Sequence, residues 1–395
     1  MTREEFIKRC ALMGVGITLA PTLLAGCRKE DELNVQFTGK TIVIGAGAAG
    51  LMAGYTLQRH GANFEILEAS SIYGGRVKKL ENFADFPIDL GAEWIHSKPR
   101  VFSRLIDDES KPGSVDLIPY KLNTYYQWNK GKLQRRNWAA TFYGEYKFKR
   151  STWYDFFENY IVPSFAKKIT YNTPITRIDY SSSLVEVVDQ NGITHTADRV
   201  ILTVPLAILQ KGFIGFTPPL PEEKVNAMNE VSIPPGLKVF MKFSKKFYPD
   251  LVSVGDMIFG DGGERLYYDA AFKKDSPEHV LALFNVGDSA SDFTELNSAQ
   301  EVLDAVLAEL DQIFDGQASQ YYLSGVVQNW SAEPYIQGSY SFAGSRHRQR
   351  IEKMNSSISD RLYFAGEAMH PDEWSTVHGA GFSGVTAAQD VLKTA

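Results

Sequence analysis

The chain has 395 residues, 44% of them hydrophobic and 12% aromatic, which is ample for a large core and unlike a disordered chain. A net charge of −6 with no dense basic run in the body leaves no electrostatic footprint for nucleic acid. The length predicts two domains or one two-lobed domain.

Residues 1–27 read as an export segment rather than as part of the fold. Arg3, Lys8 and Arg9 form a positive start, and the apolar stretch at 11–24 is too short to span a bilayer comfortably. It ends in Leu24-Ala25-Gly26-Cys27, similar to a bacterial lipobox, in which Cys27 would carry lipid and become the mature N-terminus; an ordinary secretory signal is the alternative. The opening Thr2-Arg3-Glu4-Glu5-Phe6 is similar to a twin-arginine signal, with Glu4 where the second arginine would stand, so the export route stays open. Arg28-Lys29-Glu30-Asp31 reads either as a surface-sorting tag or as plain solvated charge, and 28–39 as a tether. The expected location is therefore the periplasmic or cell-surface side of a bacterial membrane, held through lipid on Cys27. Cys10 and Cys27 are the only cysteines, so a chain beginning at a lipidated Cys27 has no thiol, disulfide or cysteine ligand, and the histidine spacings give no metal motif.

The most informative stretch is 41–69. A β-branched run at 41–44 predicts a buried strand, 51–60 a helix, and 64–67 a second strand. Between the first two lies Gly45-Ala46-Gly47-Ala48-Ala49-Gly50, a G-x-G-x-x-G turn. Gly45 permits the turn, Gly47 lets backbone approach a pyrophosphate, and Gly50 lets the helix sit close to the strand. The helix start offers free N–H groups to that pyrophosphate. Glu68 closes the second strand, where a carboxylate accepts from a ribose hydroxyl, favouring FAD or NAD over NADP.

Gly74-Gly75-Arg76 follows, able to present backbone and a guanidinium to phosphate or flavin oxygens, with a simple surface turn as the alternative. From 97 to 165 the chain is aromatic and basic, with Tyr125, Tyr126, Trp128, Trp138, Phe142, Tyr143, Trp153, Phe156 and Phe157; this predicts helices covering a pocket, most of the rings being core. Strands with a hairpin at Asn191-Gly192 are predicted for 175–205, a linker for 218–221, a strand bearing Lys238 for 237–243 and an amphipathic helix for 300–314. Ser375-Thr376-Val377-His378-Gly379-Ala380 opens a last helix, whose N–H groups could face an anionic part of a cofactor.

In this order, Gly45 to Gly50, Glu68, Gly74-Gly75-Arg76, Gly91-Ala92-Glu93-Trp94-Ile95-His96, the Ile175 segment, Lys238, Trp330, Leu362-Tyr363-Phe364-Ala365-Gly366-Glu367 and Thr376 to Ala380 resemble the flavin-dependent amine oxidases, nearest in flavour to polyamine and monoamine oxidases. The resemblance implies an α/β, two-lobed architecture: a Rossmann-like FAD domain from 40–97, 167–215 and 355–395, and an α+β substrate domain from 98–166 and 216–354. It places Gly75, Arg76, Gly91, Ala92, Glu93, Trp94, Ile175, Trp330, Gly366, Glu367, Thr376, Val377 and Ala380 around FAD, with Ile175 near the adenine and Glu367 and Val377 near the ribityl chain and ring.

It further implies hydride transfer from a neutral primary or secondary amine, polyamines included, with oxygen or another acceptor taking the electrons. Lys238 matches the lysine that holds a water beside flavin N5, and Tyr340 one wall of an aromatic sandwich. Ser339 stands where monoamine oxidases carry their flavin-bonding cysteine, so dissociable FAD is expected. Thr376 stands where many relatives have the second tyrosine. His96 falls where polyamine oxidases contact substrate; for it and for Glu93 a plain hydrogen-bonding role remains open. No arginine pattern for a substrate carboxylate is present, and the substrate lobe is short, hinting at an open pocket. The competing expectations are a same-fold oxidase or desaturase of an apolar ring or polyene, and a binding protein that kept the fold.

Overall fold

The computed structural model describes residues 35–108, 115–136, 145–255, 263–342 and 347–393. The lipobox, the first part of the tether, and Trp138, Phe142 and Tyr143 lie outside them. At the centre is an all-parallel five-stranded sheet, in spatial order Leu362–Phe364, Arg199–Leu202, Lys40–Ile44, Asn63–Leu67 and Ile169–Thr170. Lys40–Ile44 (β1), Ala48–Arg59 (α1) and Asn63–Leu67 (β2) form the β-α-β unit expected from 41–69. The Ile42, Val43 and Ile44 side chains of β1 are buried, as a strand covered on both faces requires.

One face of this sheet is covered by α1 and by the final helix, Val377–Lys393 (α2). The two helices touch through small residues. A Cβ on Gly384 of α2 would lie 2.0 Å from the Ala49 carbonyl of α1, so glycine is what allows the close approach. The other face packs on a four-stranded sheet, Thr194–Ala197, Val185–Asp189, Ile175–Asp179 and Gly215–Thr217. The hairpin turn falls at Gly192, in the left-handed region. The prolines at 218–221 are held to this sheet, where the Tyr180 hydroxyl donates to the Pro219 carbonyl at 3.1 Å.

A seven-stranded sheet carries the rest of the cavity wall. Its order is Tyr322–Asn329, Gly236–Phe243 (β3), His279–Val286 (β4), Glu264–Asp269, Leu251–Val254, Tyr125–Asn129 and Lys132–Arg135. The helix Ala299–Ile313 covers one face, its first turn capped by Ser298 accepting from the Glu301 N–H. Apart from Leu237 to Phe243, strand content was not expected here. Among its described residues, the 97–165 region, expected to be helical, has α-helices only at Val101–Ile106 and Trp153–Tyr160. Between them run Leu117–Tyr120, Tyr125–Asn129, Lys132–Arg135 and Glu145–Phe148. Aromatic residues favour the pleated surface, and the left-handed Lys130 and Gly131 make the turn between two of these strands. Tyr125, Trp153, Phe156 and Phe157 are core, as expected.

The last residues of the expected tether are packed on the fold instead. Gln36 and Phe37 donate from their backbone N–H groups to the Leu392 carbonyl, and the Arg199 guanidinium lies 3.9 Å from the centre of the Phe37 ring. Among the described residues, no helix is long and apolar enough to cross a membrane.

The α1–α2 contact generates a measurable expectation. Gly384→Ala forces a methyl group into the Ala49 carbonyl and should cost about 1–3 kcal/mol in denaturant unfolding. An unchanged midpoint would show that the helices have room to part.

Candidate active site

The glycine turn begins at Gly45, whose φ of +99° lies where other residues are strained. At Gly47 an added Cβ would find no atom nearer than the Gly74 carbonyl at 4.0 Å, so the backbone is bare on that side. Gly47 also occupies the N-cap position of α1 with no side chain to satisfy the first N–H groups. That is the arrangement that receives a phosphate anion. Gly50 faces inward instead: a Cβ there would sit 1.9 Å from the Gly45 carbonyl. At the end of β2, Glu68 accepts from the Ala46 N–H at 2.6 Å and the Ser70 N–H at 2.8 Å. Burial raises its pKa while those backbone donors oppose the rise.

These elements open on a cavity of about 1920 Å³. Pockets for single drug-sized ligands are roughly 300–1,000 Å³, so this one has space for a dinucleotide and a substrate together. Of the residues expected around FAD, Gly45, Gly47, Ala48, Ala49, Glu68, Gly75, Arg76, Gly91, Ala92, Glu93, Trp94, Ile175, Trp330, Gly366, Glu367, Thr376, Val377 and Ala380 line it. Ala46 and Gly50 do not. Ala46 serves by holding Glu68, and Gly50 by seating α1 against the turn. Lys238, Tyr340 and His96 line the same cavity. The open backbone at Gly47, the uncapped helix start and the pre-oriented Glu68 carboxylate fit FAD, with pyrophosphate at α1 and ribose at Glu68.

Several expected contacts are engaged within the protein. Arg76 donates to the Ser339 carbonyl at 2.5 Å and to Glu367 Oε1 at 3.1 Å. Ser341 Oγ donates to the other Glu367 oxygen at 2.6 Å. This links three distant chain segments at the cavity wall. The Trp330 indole N–H donates to the Leu90 carbonyl at 3.1 Å. Thr376 Oγ1 accepts from the Gly379 N–H at 3.0 Å and donates to the Glu373 carbonyl, so it caps α2. A capping hydroxyl removes one of the N–H donors expected to face the cofactor from this helix.

Lys238 is buried on β3, and its ammonium donates to the Asp89 carbonyl at 2.8 Å, the Gly91 carbonyl at 3.1 Å and Glu93 Oε2 at 2.8 Å. An ammonium has three donors. A water on Lys238 would therefore take the place of one of these acceptors, the Gly91 carbonyl being the most distant. Across the sheet, Lys238 pairs with Phe284 of β4. The Phe284 ring stacks on Tyr340 with centroids 6.5 Å apart and planes 11° apart, and Tyr340 stacks in turn on Phe342 at 5.2 Å. Lys238 and the aromatic wall thus meet at one place.

Sequence reasoning missed the strand Glu145–Phe148, Phe284, Phe342 and Tyr268. Glu145 and Lys147 are two apart, hence on one face of their strand. Glu145 Oε1 lies 2.8 Å from His96 Nδ1, and Lys147 Nζ 2.6 Å from Glu93 Oε1. Reciprocal backbone bonds between Ile95 and Tyr146 hold the two segments together. The Tyr268 hydroxyl donates to Glu93. Burial opposes ionisation of Glu93, but Lys147 and Lys238 prevail and hold its pKa well below the usual range. The alternating Glu145-Tyr146-Lys147-Phe148 pattern was the available signal. Among the described residues, no group of three or more potential ligands could hold a metal ion.

His378, at the start of α2, is buried and lines the cavity, and burial brings its pKa down to about 3. It is therefore a neutral ring in the folded protein. The unfolded chain takes up this proton near the usual histidine value of about 6.5. The stability contributed by keeping the ring neutral is full above that pH and is lost as pH falls toward the folded value. The slope is up to about 1.4 kcal/mol per pH unit. His378→Asn should flatten the stability-versus-pH curve between pH 6 and pH 3 by that amount, as read by urea unfolding; an unaltered slope would mean the ring is already charged when folded.

Comparison with known proteins agrees with this geometry. Residues 43–108 match the NAD(P)-binding Rossmann-like domain, and residues 160–392 match the family described as flavin containing amine oxidoreductase. The chain is 33% identical over 230 residues to lysine-specific histone demethylase 1B of Mus musculus, covering 56% of this chain and 27% of that protein. It therefore spans about a quarter of that relative. It is 24% identical to polyamine oxidase 4 of Oryza sativa subsp. japonica, over 96% of this chain and 92% of that protein. A structure of wild-type putrescine oxidase bound to putrescine superposes with a TM-score of 0.73 at 15% identity, covering 91% of this chain and all of that one, and so shares the fold. With its family match running over more than half of its length, the chain belongs to the flavin containing amine oxidoreductases, and FAD is its cofactor.

Proposed function

We propose that the protein oxidises a primary or secondary amine, with polyamines among the candidates, giving an imine that hydrolyses to a carbonyl compound. The observation that carries this reading is the junction at β3 and β4, where buried Lys238 adjoins a stacked aromatic wall of Phe284, Tyr340 and Phe342 in the cavity that begins at the glycine turn. When bound, FAD accepts a hydride from the carbon next to the amine nitrogen and passes the electrons to oxygen, as hydrogen peroxide, or to another acceptor.

The chain's own residues bind and orient. The stacked rings supply a flat apolar surface that holds the carbon skeleton of the substrate. Away from the nucleotide end, where Glu68 is held by backbone N–H groups, the cavity's carboxylates have basic partners: Glu93 two lysines, Glu145 His96, Glu367 Arg76, Asp372 Arg348 and Glu373 Arg104. A wall without a surplus of carboxylate suits an amine that reacts uncharged, since only the neutral form has a nitrogen lone pair to assist hydride departure. Ser339, which donates to the Pro234 carbonyl at 2.9 Å, offers no thiol for a covalent link, in keeping with dissociable FAD. The Leu24 to Cys27 motif supports a lipid-anchored protein on the outer side of a bacterial membrane as part of the same proposal.

The test is anaerobic mixing of FAD-loaded protein with a panel of amines and, separately, with apolar ring and polyene compounds, following loss of flavin absorbance. Amines are expected to bleach the flavin, and peroxide to appear on admitting air. Bleaching by the apolar compounds alone, or by nothing, overturns the reading. Within the amine reaction, Tyr340→Ala should weaken substrate binding or slow reduction about ten-fold, the scale of one lost aromatic contact.

A further inference from the structure

Glu93 is a single buried carboxylate between two buried ammonium groups. Lys238 meets one of its oxygens and Lys147 the other, and both lysines are 2% exposed. The Lys147 ammonium has Glu93 Oε1 as its anionic partner at 2.6 Å and otherwise lies within 5.6 Å of the ring centres of Trp94, Tyr120 and Tyr268. An aromatic box of this kind accommodates a cation without neutralising it. Tyr268, whose phenol stays protonated because burial and Glu93 raise its pKa well above the usual value, adds a donor to Glu93 but no charge.

Two further titratable groups face this cluster. Asp89, raised to about 8 chiefly by burial, and Lys274, lowered to about 8 chiefly by burial, are opposite in sign. Below about pH 8 both hold their proton, so Asp89 is neutral and Lys274 adds a positive charge to the cluster. The Arg76–Glu367 and His96–Glu145 pairs line the cavity from other elements. One carboxylate against two ammonium groups leaves an excess of one positive charge within this trio, and Lys274 adds to it, so the reactive end of the cavity is backed by net positive charge.

Resting on the reading above, we propose that Lys147, acting through Glu93 and Lys238, makes this end of the cavity net cationic and so strips the proton from a docking amine, selecting its neutral, reactive form. The proton leaves to solvent, and no bond to carbon changes in this step. Lys147 is a positioning residue: it sets the charge balance without touching substrate. The physical basis is Coulombic, because a positive charge near a buried ammonium favours its neutral form. The same geometry acts on Lys238, whose pKa is lowered by burial, with Glu93 and Asp89 opposing and Lys147 adding to the fall.

Charge arithmetic gives signed expectations. Lys147→Met leaves Lys238 and Glu93 balanced, and Glu93→Gln leaves two lysines without a counter-ion. The double variant restores an excess of one. Two measurements read this in FAD-loaded protein. The first is the titration midpoint of Lys238, followed by the NMR signal of its labelled ε-carbon. The second is the pH dependence of binding of tert-butylamine, which has no hydrogen on the carbon bearing nitrogen and cannot be oxidised, followed by the flavin difference spectrum.

Both midpoints should rise by about one pH unit in Lys147→Met, fall by a similar amount in Glu93→Gln, and return toward wild type in the double variant. Should Lys147→Met fail to load FAD, Lys147→Gln carries the same expectation. Shifts of one sign in both single variants, as general damage would give, overturn the proposal. So does a Lys238 midpoint that does not move, or tert-butylamine binding whose midpoint is the same in all variants. If the Lys238 midpoint moves as stated while no amine binds or bleaches the flavin, the charge balance stands and the amine oxidase reading is what falls.

Discussion

A carboxylate shared by two buried ammonium groups is the contact on which the site depends. Glu93 comes from the segment after the glycine-rich loops, Lys238 from β3, and Lys147 from the strand before Trp153. None of the three could be buried alone, because an isolated charge in a low-dielectric interior is costly. Together, with the Asp89 and Gly91 carbonyls taking the remaining Lys238 donors, they fix the 89–93 turn against the seven-stranded sheet. The wall between nucleotide-side and substrate-side segments is thus pinned by charge rather than by apolar packing alone.

Around that pin the cavity is organised by sign and polarity. Its nucleotide end presents bare backbone N–H groups and a fixed Glu68. Its middle is crossed by Arg76, tied to both Glu367 and the Ser339 carbonyl, and its far end is aromatic. Glu68, Arg76, Glu93 and Glu367 each have partners inside the protein, which keeps this part of the lining in one arrangement and leaves the apolar faces as the adaptable contact for a substrate.

How much of this was legible in the sequence follows from the range of the interactions. The β1–α1–β2 unit is local: its glycines, its buried run and its acid lie within thirty residues, and the turn, helix and strand formed as read. Lys238 was visible only through resemblance, since the apolar–basic alternation of its strand says nothing of which basic residue is buried. The strands between 117 and 148 were misread as helices because dense aromatic residues suit either a helix face or a pleated one. Missing those strands hid Glu145 and Lys147. Their partners His96 and Glu93 lie about fifty positions away, and no pattern within either segment announces a charge pair across that distance. Thr376 was read by alignment with a ring, whereas its neighbours make it a cap.

The docking of Gln36 and Phe37 on the Leu392 carbonyl has a geometric corollary. Helix α2 runs from Val377, in the cavity wall, to Leu392, whose carbonyl holds the first described residues. At 1.5 Å of rise per residue those two points are about 22 Å apart. The first described residues therefore join the fold at the end of that helix remote from the cavity wall, and the chain's entry and its cavity lie on separate sides of one rigid rod.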